Sequence, residues 1–117
     1  PRKGVAALGP LVIKASAGTV FRAPLILCDT LAPALKQLKT CGYKIATLEA
    51  AAPESLFSYD AQERMVFVLG GETSGVSDAV SQLASQRLAI PMSNEVESLN
   101  VAVTAALVAF HLATNRH

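Results

Sequence analysis

The 117-residue chain has no tryptophan, two tyrosines, two cysteines and two histidines, and only 16% of its residues are charged. Each scarcity excludes something. No apolar run approaches the roughly 18–20 residues that a membrane-spanning helix needs. The opening Pro1-Arg2-Lys3-Gly4 lacks the layout of a signal peptide. Cys28 and Cys41 stand alone, without CxxC spacing, and are expected to be two reduced thiols packed as small hydrophobes. No grouping of His, Cys, Asp and Glu has the spacing of a metal site. A GxGxxG or GxxxxGK[ST] phosphate loop is missing, as is the GxSxG elbow of a Ser-His-Asp hydrolase. There is no internal repeat or low-complexity tract.

What is present is aliphatic. About half the residues are hydrophobic, at 51%, mostly Ala, Val, Leu and Ile. That composition suits the core of a single α/β domain covering residues 1–117. The net charge of +1 conceals an asymmetry. Residues 1–48 hold seven Lys/Arg and one acid, Asp29, whereas residues 49–117 hold three Lys/Arg and eight acids. The first part would suit a basic face for nucleic acid. Its lysines are scattered, which equally suits an ordinary solvated surface.

Residues 11–21 suit a short helix or a strand, with helix the favoured reading. Pro24–Cys28 is a continuous apolar run of the kind found in a buried parallel strand. Asp29-Thr30 then cap a helix to about Cys41, with Leu31, Ala34, Leu35 and Leu38 as its apolar stripe and Gly42 as its stop. Tyr43–Leu48 is a second strand, and Ala50–Asp60 a polar, proline-containing connection. Arg64–Leu69 is the clearest buried strand. A short helix around Asp78–Ser85, a very short strand at Leu88–Ile90 and a last helix from about Glu97 to Thr114 complete the chain. The alternation predicts an α/β layer with a mostly parallel sheet and flanking helices. Ligands of such sheets bind outside the carboxyl ends of the strands, which is where loops 70–77 and 90–98 fall.

Both loops carry polar residues suited to a ligand. Gly70, Gly71 and Gly75 permit tight turning and close backbone approach, and Glu72 sits among them. Pro91 ends its strand, Met92 is an apolar side chain able to cover a flat ring, and Ser93-Asn94-Glu95 forms a turn. Ser98 and Asn100 open the last helix, as caps or as ligand contacts. The helix body is apolar nearly all round, which predicts burial on more than one side, including against a second subunit. His111 lies deep in that helix and is expected to be structural.

Three segments together resemble the SpoU/TrmH branch of the SPOUT superfamily of RNA ribose 2′-O-methyltransferases. They are Lys14-Ala15-Ser16-Ala17-Gly18, Val68 to Ser77, and Ile90-Pro91-Met92 through Glu97-Ser98-Leu99-Asn100-Val101-Ala102-Val103. The resemblance implies a trefoil knot in the carboxyl half, an S-adenosylmethionine pocket within it, and a homodimer joined through the carboxyl-terminal helix. It implies cofactor contacts at Leu69, Gly70, Gly71, Ile90, Met92 and Leu99, with Glu72, Ser98 and Asn100 nearest the transferred methyl and the ribose. The implied substrate is RNA, ribosomal RNA ahead of transfer RNA, and the implied compartment is the cytoplasm. No metal or membrane is implied. The family's N-x-G-x-x-x-R segment, whose Arg helps to activate the ribose hydroxyl, is missing from these residues. The chain is therefore expected to be an amino-terminally truncated catalytic domain. The alternative is a catalytically incomplete module that holds cofactor or RNA.

Overall fold

The computed structural model describes residues 1–3, 7–61, 64–71 and 74–115. Four strands form one sheet in the order β2-β4-β1-β3: β1 Lys44–Leu48, β2 Glu54–Ser55, β3 Met65–Leu69 and β4 Gln86–Ala89. Every pairing is parallel, with Ile45 opposite Val66, Thr47 opposite Arg87 and Glu54 opposite Leu88. Four helices accompany them: α1 Pro10–Ala15, α2 Leu31–Thr40, α3 Asp78–Ser81 and α4 Val101–Thr114.

Alternation along β1 divides the core between the two faces of the sheet. Ile45 packs with Leu35 of α2, Val68 of β3 and Val80 of α3. Ala46 and Leu48 pack on the other side with Leu56, Leu88 and Val108 of α4. The stripe expected on α2 is the face that meets the sheet, through Leu31, Leu35 and Leu38. Gly42 stops the helix with φ +86°. Its N–H donates to the Lys39 carbonyl (3.0 Å) and that of Tyr43 to the Leu38 carbonyl (3.0 Å), the pairing of a Schellman cap. Ser77 caps α3, its hydroxyl accepting from the Val80 N–H.

Several expectations are corrected. Pro24–Cys28 joins no sheet among the described residues; Leu25, Ile26 and Leu27 are exposed, Ile26 by 90%. A run of apolar residues fixes no partner for its backbone, and here none of the four strands lies beside it. Thr30 occupies the cap position of α2 but makes no side-chain cap hydrogen bond. The helix read over residues 11–21 breaks at Ala15, and a 3₁₀ turn, Thr19–Arg22, follows. β3 is an edge strand in which only Val68 is buried. The connection after β1 holds both β2 and a 3₁₀ turn, Leu56–Ser58, and Leu56 is fully buried. Two residues are too few for periodicity to reveal a strand. α3 ends at Ser81, and α4 begins at Val101 rather than Glu97 because Asn100 caps it.

α4 is less enclosed than its composition suggested. Val108 and His111 are buried, while Val103 and Phe110 are 47% and 70% exposed. Ala102, Ala106 and Ala109 share that open face. His111 is structural, as expected. Its Nε2 lies 2.9 Å from the Tyr59 carbonyl oxygen, to which it donates, and the Phe57 ring meets it edge-on at 6.0 Å. Cys28 and Cys41 are free thiols.

Leu56 anchors the β1-to-β3 connection in the core. Leu56→Ala should destabilise the fold by about 2–5 kcal/mol, the range for buried leucines. A denaturant midpoint unchanged by the substitution would contradict that placement.

Candidate functional site

Strands β1, β3 and β4 end side by side, and the chain beyond each end lines a cleft of about 410 Å³. One wall is Leu48, Glu49 and Ala50, leaving β1. A second is Leu69, Gly70 and Gly71, leaving β3. The third is Ile90 and Met92, leaving β4. Glu97, Ser98, Leu99, Asn100, Val101 and Thr104 close it from the α4 side. The volume falls within the roughly 300–1,000 Å³ of small-molecule sites.

The local chemistry explains each wall. Gly70 is fixed by its surroundings: a Cβ there would stand 2.7 Å from the Gly75 backbone. That approach is held by a pair of hydrogen bonds, Gly71 N–H to the Gly75 carbonyl (3.2 Å) and Gly75 N–H to the Gly71 carbonyl (3.1 Å). Around Gly71 a Cβ would meet nothing within 4 Å, so the backbone borders open space. In the loop after β4, Asn94 and Glu95 have φ of +56° and +61°, and the Val96 N–H reaches the Ser93 carbonyl at 3.3 Å. Two successive positive φ values define a type I′ turn, a geometry that glycine and asparagine adopt with least strain. Asn100 accepts the Ala102 N–H on Oδ1 at 2.8 Å, which satisfies a helix donor and leaves the Nδ2 hydrogens for a ligand.

The structure brings together most of the residues singled out from the sequence. Leu69, Gly70, Gly71, Ile90, Met92, Ser98, Leu99 and Asn100 all border the one cleft. Glu72 lies outside the described residues. Glu49 was missed, although it follows directly on the carboxyl end of β1, the position that parallel sheets reserve for function.

Glu49 is the most heavily bonded side chain at the cleft. Its Oε1 accepts from Thr47 Oγ1 (2.6 Å) and Ser81 Oγ (2.9 Å). Its Oε2 accepts from Arg87 Nε (3.1 Å) and Nη2 (2.6 Å). The Arg87 hydrogen bonds, and after them that of Thr47, hold the Glu49 carboxyl below its ordinary value of 4.5 against the opposing cost of burial. No group of three or more His, Cys, Asp or Glu among the described residues has the arrangement of a metal site. No described helix is long and apolar enough to cross a membrane.

Residues 1–110 match the model of the SpoU rRNA Methylase family. The chain is 34% identical over 116 residues to the 23S rRNA (guanosine-2′-O-)-methyltransferase RlmB of Xylella fastidiosa, covering 99% of the chain and 47% of that protein. It superposes on the crystal structure of an RNA 2′-O ribose methyltransferase with a TM-score of 0.84 and 26% identity, over 97% of this chain and 43% of that one. The SpoU methyltransferase AviRb from Streptomyces viridochromogenes, solved in complex with AdoMet, shares the fold (TM-score 0.86, 20% identity, 96% of this chain and 46% of that one). The chain thus spans about half the length of the relatives it matches.

The lowered pKa of Glu49 carries a signed consequence. A depressed carboxyl contributes stability that is complete above its unfolded value and disappears as pH falls through the folded one. Acidification from pH 7 to pH 3 should therefore cost the wild type more stability than it costs Glu49→Gln. Equal losses in denaturant titrations at the two pH values would show that the carboxylate is not linked to folding.

Proposed function

The chain belongs to the SpoU rRNA methylase family, and we propose that it forms the cofactor-binding catalytic portion of an S-adenosylmethionine-dependent RNA ribose 2′-O-methyltransferase. The observation that carries this reading is the single cleft at the strand ends, which gathers eight residues the family motifs single out. In the proposed arrangement the adenosine rests on the backbone of Leu69, Gly70 and Gly71. Ile90, Met92 and Leu99 supply apolar surface for the adenine ring, and Ser98 and Asn100 face the acceptor. Glu72 belongs to the same proposed group.

The cleft suits such a cofactor on its own terms. Its walls alternate aliphatic side chains with close backbone, which matches a flat ring joined to a polar sugar. When bound, S-adenosylmethionine supplies an electrophilic methyl on sulfur. The chain's own residues then position and desolvate. The apolar wall of Ile90, Met92 and Leu99 excludes water, and Asn100 Nδ2 and the Ser98 hydroxyl hold the ribose in line with the methyl. RNA is the substrate because only RNA offers the 2′-hydroxyl. Ribosomal RNA is favoured over transfer RNA, in the cytoplasm. The proposed fold detail is a trefoil knot threading the carboxyl half, and the proposed assembly is a homodimer packed on the open face of α4.

A second reading is a module that binds cofactor or RNA without transferring methyl. Methylation assays separate the two: transfer by the intact protein to RNA supports the enzyme, and tight cofactor binding without transfer supports the module.

Calorimetric titration of S-adenosylmethionine into the intact protein should release heat with one site per chain, and a flat thermogram would remove the cofactor reading. Asn100→Ala should abolish methyl transfer while costing only about 1 kcal/mol of stability as a lost helix cap; near-normal transfer would take Asn100 out of the site. Ala106→Glu should dissociate the dimer, because a carboxylate cannot be buried unpaired in an apolar interface. An unchanged sedimentation profile would place the interface elsewhere.

A further inference from the structure

The Glu49 carboxylate joins β1, α3 and β4, and two of these, β1 and β4, run directly into walls of the cleft. Thr47 is on β1, whose exit forms the first wall. Ser81 is on α3, which packs against α2 and the sheet face through Val80. Arg87 is on β4, which runs into Ile90 and Met92 of the third. Four hydrogen bonds of 2.6–3.1 Å converge on this one group. The Glu49 backbone adds to the tie: its N–H donates to the Leu88 carbonyl at 2.9 Å, and its carbonyl accepts from the Ala52 N–H at 3.0 Å, closing the turn that leaves β1.

We propose that Glu49 is a positioning residue of the cleft, a carboxylate clamp that sets the spacing of the walls leaving β1 and β4 and thereby the affinity for a nucleoside ligand. The inference rests on the reading of the cleft as the S-adenosylmethionine site. Glu49 does not itself contact the ligand as an acceptor, because each carboxylate oxygen already accepts two hydrogen bonds. Its side chain is 17% exposed, so the clamp operates partly shielded from solvent. The Arg87 side chain, 53% exposed, spans from β4 with two donors on one oxygen, a geometry that fixes direction as well as distance. A lysine would supply the charge without the fork.

The test compares the wild type with Glu49→Gln, and with Leu38→Ala as a destabilised control whose side chain packs under α2, away from the cleft. Glu49→Gln keeps the size of the side chain but removes its charge and one acceptor oxygen, so the charge-assisted bonds from Arg87 weaken and the Thr47 and Ser81 hydroxyls can no longer both donate to an oxygen opposite Arg87. Its dissociation constant for S-adenosylmethionine should rise about tenfold or more, the order expected when a site is misaligned. Leu38→Ala should lower the melting temperature and leave the dissociation constant within twofold. In the methylation assay Glu49→Gln should raise the KM for the cofactor more than it lowers kcat. Hydrogen exchange without ligand provides the independent arm: Glu49→Gln should speed exchange in residues 48–52 and 87–90 but not in α2. Unchanged affinity and exchange in Glu49→Gln would overturn the clamp, as would a Leu38→Ala variant that weakens binding equally. If the wild type binds no S-adenosylmethionine, the cofactor reading fails, and the exchange comparison still decides whether Glu49 sets the walls.

Discussion

The structure depends on the burial of β1 between two layers. Ile45, Ala46 and Thr47 are fully inaccessible, and β1 pairs with β4 on one side and β3 on the other. Side chains from this strand feed both hydrophobic clusters. β3 feeds both as well, through Phe67 and Leu69 on one face and Val66 and Val68 on the other, but only Val68 is buried there, so β1 is the fully enclosed link between the helical layers. Because all pairings are parallel, the carboxyl ends of the strands lie at one edge, and the cleft is the space their exits leave. Fold and site therefore follow from the same constraint.

The edge of that cleft also shows how polar groups are accommodated beside a core. Thr47 is completely buried and faces the α2 and α3 layer, yet its hydroxyl is satisfied by Glu49. Glu49 is in turn satisfied by Ser81 and Arg87. Each group would be costly without the others, since a buried donor or charge left unpaired loses its hydration without recompense. No buried side-chain nitrogen or oxygen among the described residues lacks a partner. The isolated Arg87–Glu49 pair, half exposed on the arginine side, would add little to stability alone. Its value lies in the directions it imposes on three separate segments.

Much of the site was legible in the sequence because its residues cluster in two contiguous loops, where glycine, proline and helix-capping residues mark the backbone. Gly70 and Asn100 are examples in which residue type and local geometry coincide. Glu49 was not legible, because its partners are Ser81 and Arg87, far along the chain, and no local pattern announces them. The same reasoning accounts for Pro24–Cys28. Apolar composition identified a segment able to be a strand, but pairing is a tertiary property, and here the run stands exposed. β2 escaped notice for the opposite reason, being only two residues long and held by β4 rather than by its own periodicity. α4 lies between these cases: its apolar composition predicted burial on more than one side without saying which, and while Val108 and His111 are buried, the same composition also covers the face left open.

The all-parallel pairing has a kinetic consequence as well. No two neighbouring strands of this sheet can be joined by a tight hairpin. β1 meets β3 only after the connection carrying β2 has been laid down, and it meets β4 only after α3 has formed, since Ala46 pairs with Gln86. Every ladder must therefore close a long loop before it gains any hydrogen bonds, which slows folding relative to a sheet of local hairpins. During synthesis β1 waits without its β4 partner until Gln86, 38 residues beyond Leu48, has emerged. A protein built this way is under pressure to keep its early segments from pairing with other chains, and the lysines and arginine around α2 and β1 provide charge in that interval.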